Sequence, residues 1–80
     1  MEREAVQSLP PRMDVRKRVG RNLKQLRVDK ELTQEALADK AELHQTYLSG
    51  VESGKRNPSI LVLERLAKGL GVDIARLFER

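Results

Sequence analysis

The sequence predicts an all-α domain of five short helices. Apolar residues recur at helical spacing in five stretches, four of those stretches open on a residue suited to capping a helix, and no segment alternates apolar and polar residues as a half-buried strand would. Eighty residues with 2% aromatic content leave one modest core, which Leu, Val, Ile and Ala must fill.

Residues 1–13 show no periodicity and contain Pro10-Pro11, so they are expected to form a flexible N-terminal arm outside a domain spanning 14–80. Asp14 can cap a first helix in which Val15, Val19, Leu23 and Leu26 share a face, ending near Lys30. Thr33 caps the second, with Leu32 and Leu37 at the two positions of a hydrophobic staple, and the helix runs to about Lys40 or Ala41. The third covers about Gln45 to Ser53. It turns Leu43, Tyr47, Leu48 and Val51 inward and stops at Gly54, a residue at ease in the left-handed conformation that ends helices. Ser59 restarts the chain into a fourth helix whose inner stripe is Ile60, Leu63, Leu66, Ala67 and Leu70, closed by Gly71. Asp73 caps a last short helix, with Val72 and Leu77 as a staple and Ile74, Leu77 and Phe78 as its apolar face.

The second and third helices form the informative pair. Counting Gln34 as the first of twenty positions, a helix–turn–helix unit needs a small residue at position five, where the two helices approach; Ala38 stands there. It needs apolar residues at positions four, eight, ten, fifteen and eighteen, and these are Leu37, Ala41, Leu43, Leu48 and Val51. One site departs from the pattern. The turn favours Gly at position nine, because positive φ is required there, and this sequence has Glu42.

Net charge is +4, and the cations are clustered. Eight of them (Arg12, Arg16, Lys17, Arg18, Arg21, Lys24, Arg27, Lys30) lie between residues 12 and 30 against Asp14 and Asp29, and a second knot, GKRN, spans 54–57. Between the clusters lies HQTYLSGVESG, whose outward residues Gln45, Thr46, Ser49, Gly50 and Ser53 carry no charge. A neutral hydrogen-bonding helix face with cations on both sides suits a polyanion that must be read as well as attracted. An enzyme is disfavoured by a single His, no Cys, no Gly-rich phosphate loop and no paired carboxylates in a plausible cleft, and neither a metal nor a cofactor is expected. With no apolar run of bilayer-spanning length and no signal-peptide core, the chain reads as soluble and cytoplasmic, with no membrane partner.

The stretch LTQEALADKAELHQTYLSGVESGKRNPS resembles the Cro/repressor-type helix–turn–helix domains, also called lambda-repressor-like or XRE domains. VGRNLKQLR before it and LERLAKGLGVDIARLF after it resemble that family's first, fourth and fifth helices, so the likeness covers about residues 15–79. It implies a five-helix fold, usually dimeric, with the third helix laid in the major groove of double-stranded DNA. Carried over position by position, it implies that Gln45, Thr46 and Ser49 read bases. It also implies that Gln34 bonds a phosphate and braces the third helix, that Lys55, Arg56 and Asn57 lie in a phosphate-touching loop, and that Arg27 and Glu52 form a structural ion pair. His44 can reach a phosphate or a base edge, and Thr33 stands with Gln34 at the phosphate-facing start of the second helix. Gln45 is the first candidate for a base contact, since glutamine can pair bidentately with adenine. Glu31 and Glu42 depart from the family by standing where Gly is common.

The function implied is a sequence-specific transcriptional regulator, a homodimer on a palindromic operator. A restriction–modification controller and a phage-type repressor are the two kinds it resembles. The dimer contact is expected in the C-terminal helices, from Ile74, Leu77 or Phe78, with Leu61 and Val62 as further candidates, and RNA polymerase is a partner if the protein activates. The rival is an antitoxin-like module that covers a protein partner and binds DNA secondarily.

Overall fold

Four α-helices and a closing 3₁₀ helix begin at the caps expected from the sequence in the computed structural model, which describes residues 14–80. The expected arm, residues 1–13, lies outside the described residues. The elements are α1 (Val15–Asp29), α2 (Gln34–Ala41), α3 (Gln45–Glu52), α4 (Ile60–Leu70) and the 3₁₀ helix Ile74–Phe78. Thr33 Oγ1 accepts from Ala36 N at 3.0 Å, Ser59 Oγ from Val62 N at 3.1 Å, and Asp73 Oδ1 from Ala75 N at 2.8 Å. Each bond satisfies an amide that a helix start leaves unpaired. Asp14 caps α1 by accepting from Arg16 N at 2.8 Å and also takes the Arg16 guanidinium at 2.9 Å. Those hydrogen bonds hold the Asp14 carboxyl down at about 2.

The fifth helix differs from expectation in kind. Five residues allow little more than one α-turn, too short to repay the ordering of a nucleus, and the tighter 3₁₀ form closes the domain instead. It is tied down from α1, where Asn22 Nδ2 donates to Leu77 O at 3.0 Å and to Glu79 O at 2.5 Å.

Each of the five elements contributes a fully buried leucine to one core: Leu23, Leu37, Leu48, Leu66 and Leu77, with Val51 beside them. α2 packs on α4 and α3, α1 on α3 and the 3₁₀ helix, and α4 on the 3₁₀ helix. The stripe expected on α4 is right from Leu63 onward but wrong at Ile60, which is 73% exposed. Ile60 has the correct angular position, yet it occupies the first helical residue, where no neighbouring element reaches far enough to cover it. Val15 at the start of α1 is left exposed for the same reason, and Phe78 remains 39% exposed at the other end of the chain.

Gly20 sets how close α1 comes to α3. A Cβ there would lie 2.5 Å from the Val51 carbonyl oxygen, a contact no larger residue could make without driving the helices apart.

Two of the four left-handed turn residues are not glycine. Glu31 has φ 57°, and Glu42 has φ 58° and ψ 47°. Both sit at the position that ends a helix with a reversed pair of hydrogen bonds: Leu32 N donates to Arg27 O at 3.0 Å, and Leu43 N donates to Ala38 O at 2.8 Å. Gly71 makes the same closure after α4, with Val72 N donating to Ala67 O. The α2–α3 turn is further held by Arg65 of α4, which donates to Ala41 O at 2.6 and 2.9 Å and to Glu42 O at 2.7 Å.

Two outcomes follow for stability. A left-handed non-Gly residue carries roughly 1 kcal/mol of strain, so Glu42→Gly should raise the melting temperature by about 4–8 °C in thermal unfolding; a fall would mean that the turn is not strained as described. The depressed Asp14 carboxyl stabilises the fold above its unfolded value near 3.8, and that contribution is lost as pH falls through the folded value of about 2. Asp14→Ala should therefore melt below the parent near neutral pH, with the gap shrinking across that window. A gap constant with pH would show that the charge plays no part.

Candidate nucleic-acid interface

The outward face of α3 is assembled by what lies behind it. Leu48 and Val51 are buried in the core, and Ala38 is buried where α2 crosses α3. Gln45, Thr46 and Ser49 are consequently exposed, and so is His44 at the N-cap, whose side chain makes no capping bond. The face expected to be uncharged and open to a ligand is therefore presented as one surface.

Its orientation is fixed by a buried carboxylate. Arg27 of α1 donates through Nε to Glu52 Oε2 at 2.6 Å and through Nη2 to Glu52 Oε1 at 3.1 Å. A third bond from the same guanidinium, Nη1 to Leu32 O at 2.8 Å, holds the turn before α2. Gln34 Nε2, at the start of α2, donates to Glu52 Oε1 at 2.9 Å. The two charged side chains are only 11% and 3% exposed. One carboxylate at the end of α3 thus gathers α1, the α1–α2 turn and α2. Gln34 is seen bracing α3, and that bond uses one of its two amide hydrogens. Thr33 Oγ1 acts as acceptor in its cap, which leaves its hydroxyl hydrogen to donate.

The basic loop is rooted on α3 as well. Lys55 N and Arg56 N both donate to Gly50 O, at 2.9 and 3.2 Å, after a left-handed Gly54 with φ 80°. Lys55, Arg56 and Asn57 are exposed. A Cβ on Gly54 would meet Lys17 Cγ at 2.7 Å, so the α1 backbone places Lys17 directly against this loop. Of the α1 cations, Lys17 lies against the loop, Arg16 is engaged with Asp14, and Arg27 is internal.

Tyr47 packs against the core as expected for the inner face, but it is only half-buried, and its ring carries the Arg56 guanidinium with Cζ 5.6 Å from the centroid. Arg65 and Gly20 were not singled out at all. Their partners lie more than twenty residues away in sequence, and no local pattern marks either one. Among the described residues, no group of three His, Cys, Asp or Glu could hold a metal, and no helix is long and apolar enough to cross a membrane.

The helix-turn-helix family model matches residues 23–77. The chain is similar to control protein C.MunI of Mycoplasma sp, at 44% identity over 66 residues covering 81% of this chain and 89% of that protein. Among solved structures it is similar to the restriction-modification controller protein C.AhdI from Aeromonas hydrophila, at 38% identity and a TM-score of 0.77, covering 79% of this chain and 96% of the other. It is likewise similar to the hypothetical transcription factor NHTF from Neisseria, at 35% identity and a TM-score of 0.80, covering 90% and 83%.

Removing one member of a buried ion pair leaves the other charge uncompensated, at a cost of about 3–5 kcal/mol. Arg27→Ala should therefore lower thermal stability sharply and weaken any ligand binding by α3 as a consequence. If binding fell while the melting curve stayed in place, Arg27 would be a contact residue and not a structural one.

Proposed function

The chain belongs to the helix-turn-helix family, of the Cro/repressor type, and on that premise we propose that it is a sequence-specific transcriptional regulator that binds double-stranded DNA as a homodimer. Its relatives include control proteins of restriction–modification systems, and the same role is assigned here. The observation that carries the reading is the exposure of Gln45, Thr46 and Ser49 on a helix whose opposite edge is fastened through Glu52. A rigid row of neutral donors and acceptors matches the patterned base edges of the major groove, and each good bidentate pair discriminates by about 1–3 kcal/mol.

Gln45 reads a base, with Thr46 and Ser49 beside it and His44 at the groove edge. Phosphates are held by Thr33 and Gln34 at the α2 amino end, where the helix dipole favours an anion, and by Lys55, Arg56 and Asn57. Lys17 adds to this second cluster. One domain of this size reads few base pairs, so a two-fold dimer places two α3 helices in successive major-groove turns, about 34–36 Å apart.

The dimer contact uses apolar surface that the core leaves uncovered. Leu77 is fully buried and is not free for it, while Ile74 packs on the core with part of its surface still open. Ile60 and Phe78 line an apolar groove of about 220 Å³ with Val15, Val19, Val51 and Leu63, and Leu61, next to Ile60 in α4, is 76% exposed. A two-fold dimer would pair this patch with the same patch of a second copy. The protein works in the cytoplasm. Repression needs only occupancy of the operator, whereas activation adds RNA polymerase as a partner. The rival role as a toxin-covering module gains no support from relatives that carry regulator and control-protein names.

A binding selection from random duplex DNA at moderate salt tests this. It should return an inverted repeat, and Gln45→Ala should lose the preference at one position of each half-site. Uniform, salt-sensitive binding with no enriched sequence would sink the proposal.

A further inference from the structure

We infer that Arg56 reads a base as well as meeting the backbone, and that Gly50 and Tyr47 are the positioning residues that hold it against α3. The inference rests on α3 being the DNA-reading helix. It concerns the point on that helix where α3 itself offers nothing: Gly50 follows Thr46 by one turn on the same face and has no side chain.

The backbone of Arg56 is anchored at that point, its N–H donating to Gly50 O at 3.2 Å. From this root the side chain, though exposed, turns back along α3. A Cβ on Gly50 would lie 2.7 Å from Arg56 Cγ and 3.3 Å from Nε, so the absent side chain is the space the arginine shaft occupies. The guanidinium comes to rest over the Tyr47 ring, with Cζ 5.6 Å from its centroid, within the range of a cation–π contact. Among the described residues, no ion pair engages Arg56.

A guanidinium resting over an aromatic face keeps its N–H edge free, and that edge is what pairs with guanine O6 and N7. The contact also preorganises a long side chain whose rotamer freedom would otherwise oppose a defined base contact. Arg56 thus supplies from the loop the reading group that the helix lacks, and its target is a guanine of the half-site beside the Tyr47–Gly50 edge of α3.

The test is the same random-pool selection run on the parent and on Arg56→Ala, Arg56→Lys, Gly50→Ala, Tyr47→Leu and Tyr47→Phe, with melting curves confirming that each is folded. The parent should recover an inverted repeat with one G·C position that Arg56→Ala no longer prefers, a loss of about five- to 150-fold in relative affinity, while the Gln45-dependent position is unchanged. Arg56→Lys should keep the salt dependence but lose the preference, because a point charge cannot make the two-pronged contact. Tyr47→Phe should retain the preference, and Tyr47→Leu and Gly50→Ala should weaken it. If the parent recovers an inverted repeat but Arg56→Ala binds every sequence more weakly with its pattern intact and a shallower salt slope, Arg56 is a phosphate contact and the inference fails. Retention of the preference in Arg56→Lys would overturn it equally. Failure of the parent to select any repeat would instead remove the DNA-reading role of α3 itself.

Discussion

The Glu52 carboxylate is the constraint on which the rest of the structure depends. α3 has eight residues, about two turns, and a helix of that length has no independent stability in water. Its position is dictated by what it touches. Burying Glu52 and Arg27 removes both from water, a penalty their attraction offsets only when geometry is good and the remaining hydrogen-bonding groups are satisfied. Here both carboxylate oxygens and three guanidinium nitrogens have partners, and Gln34 completes the set. A small rotation of α3 about its axis would strand a charge in a dry site. The pair therefore selects one orientation of α3 from among packings that Leu48 and Val51 alone would tolerate. Gly20 belongs to the same device, since the close approach of α1 to the Val51 carbonyl sets the separation across which Arg27 meets Glu52.

How much of this was legible in the sequence follows from the range of each interaction. Caps, stripes and the twenty-residue helix–turn–helix window are local, and Thr33, Ser59, Asp73, Ala38, Leu48 and Val51 all sit where spacing puts them. Periodicity reports the angle of a residue around its helix but not whether a neighbour extends far enough along the axis to cover it. That is why Ile60 and Val15, correct in angle, are exposed. The Arg27–Glu52 pair was suggested by family resemblance, since nothing in a 25-residue separation marks two charges as partners; the helical wheel added that Glu52 falls at the edge of the inner face. Arg65 gave no signal at all, because its acceptors are backbone carbonyls, which every residue possesses. For Tyr47, a helical wheel places the ring at the boundary of the inner face, and only the presence of Arg56 decides what its outer surface does.

The turns show how strain is accommodated. Glu31 and Glu42 each hold a left-handed conformation where glycine would be unstrained, a local penalty of roughly 1 kcal/mol apiece in domains whose whole stability is commonly 5–15 kcal/mol. The conformation persists because its surroundings over-determine it. Helix-ending hydrogen bonds close both turns, Arg27 clasps Leu32 O after the first, and Arg65 clasps Ala41 O and Glu42 O at the second. These arginines come from α1 and α4, so each turn of the α2–α3 unit is gripped from outside the unit. The relation of α2 to α3 is thereby a property of the whole domain.

That rigidity explains the division of chemistry across the surface. Discrimination among bases requires donors and acceptors fixed to a fraction of an ångström, which short neutral side chains on a locked helix provide. Attraction to a polyanion requires charge but little geometry, and long flexible cations suffice for it. Placing lysines on the α3 face would have mixed the two, because a mobile ammonium satisfies any acceptor within reach and blurs the contrast between sequences. The chain keeps them apart, with Gln45, Thr46 and Ser49 on α3 and Lys17, Lys55 and Arg56 around its C-terminal end. Of these cations, Arg56 is laid along Gly50 and the Tyr47 ring, a track that makes a flexible cation a placed one.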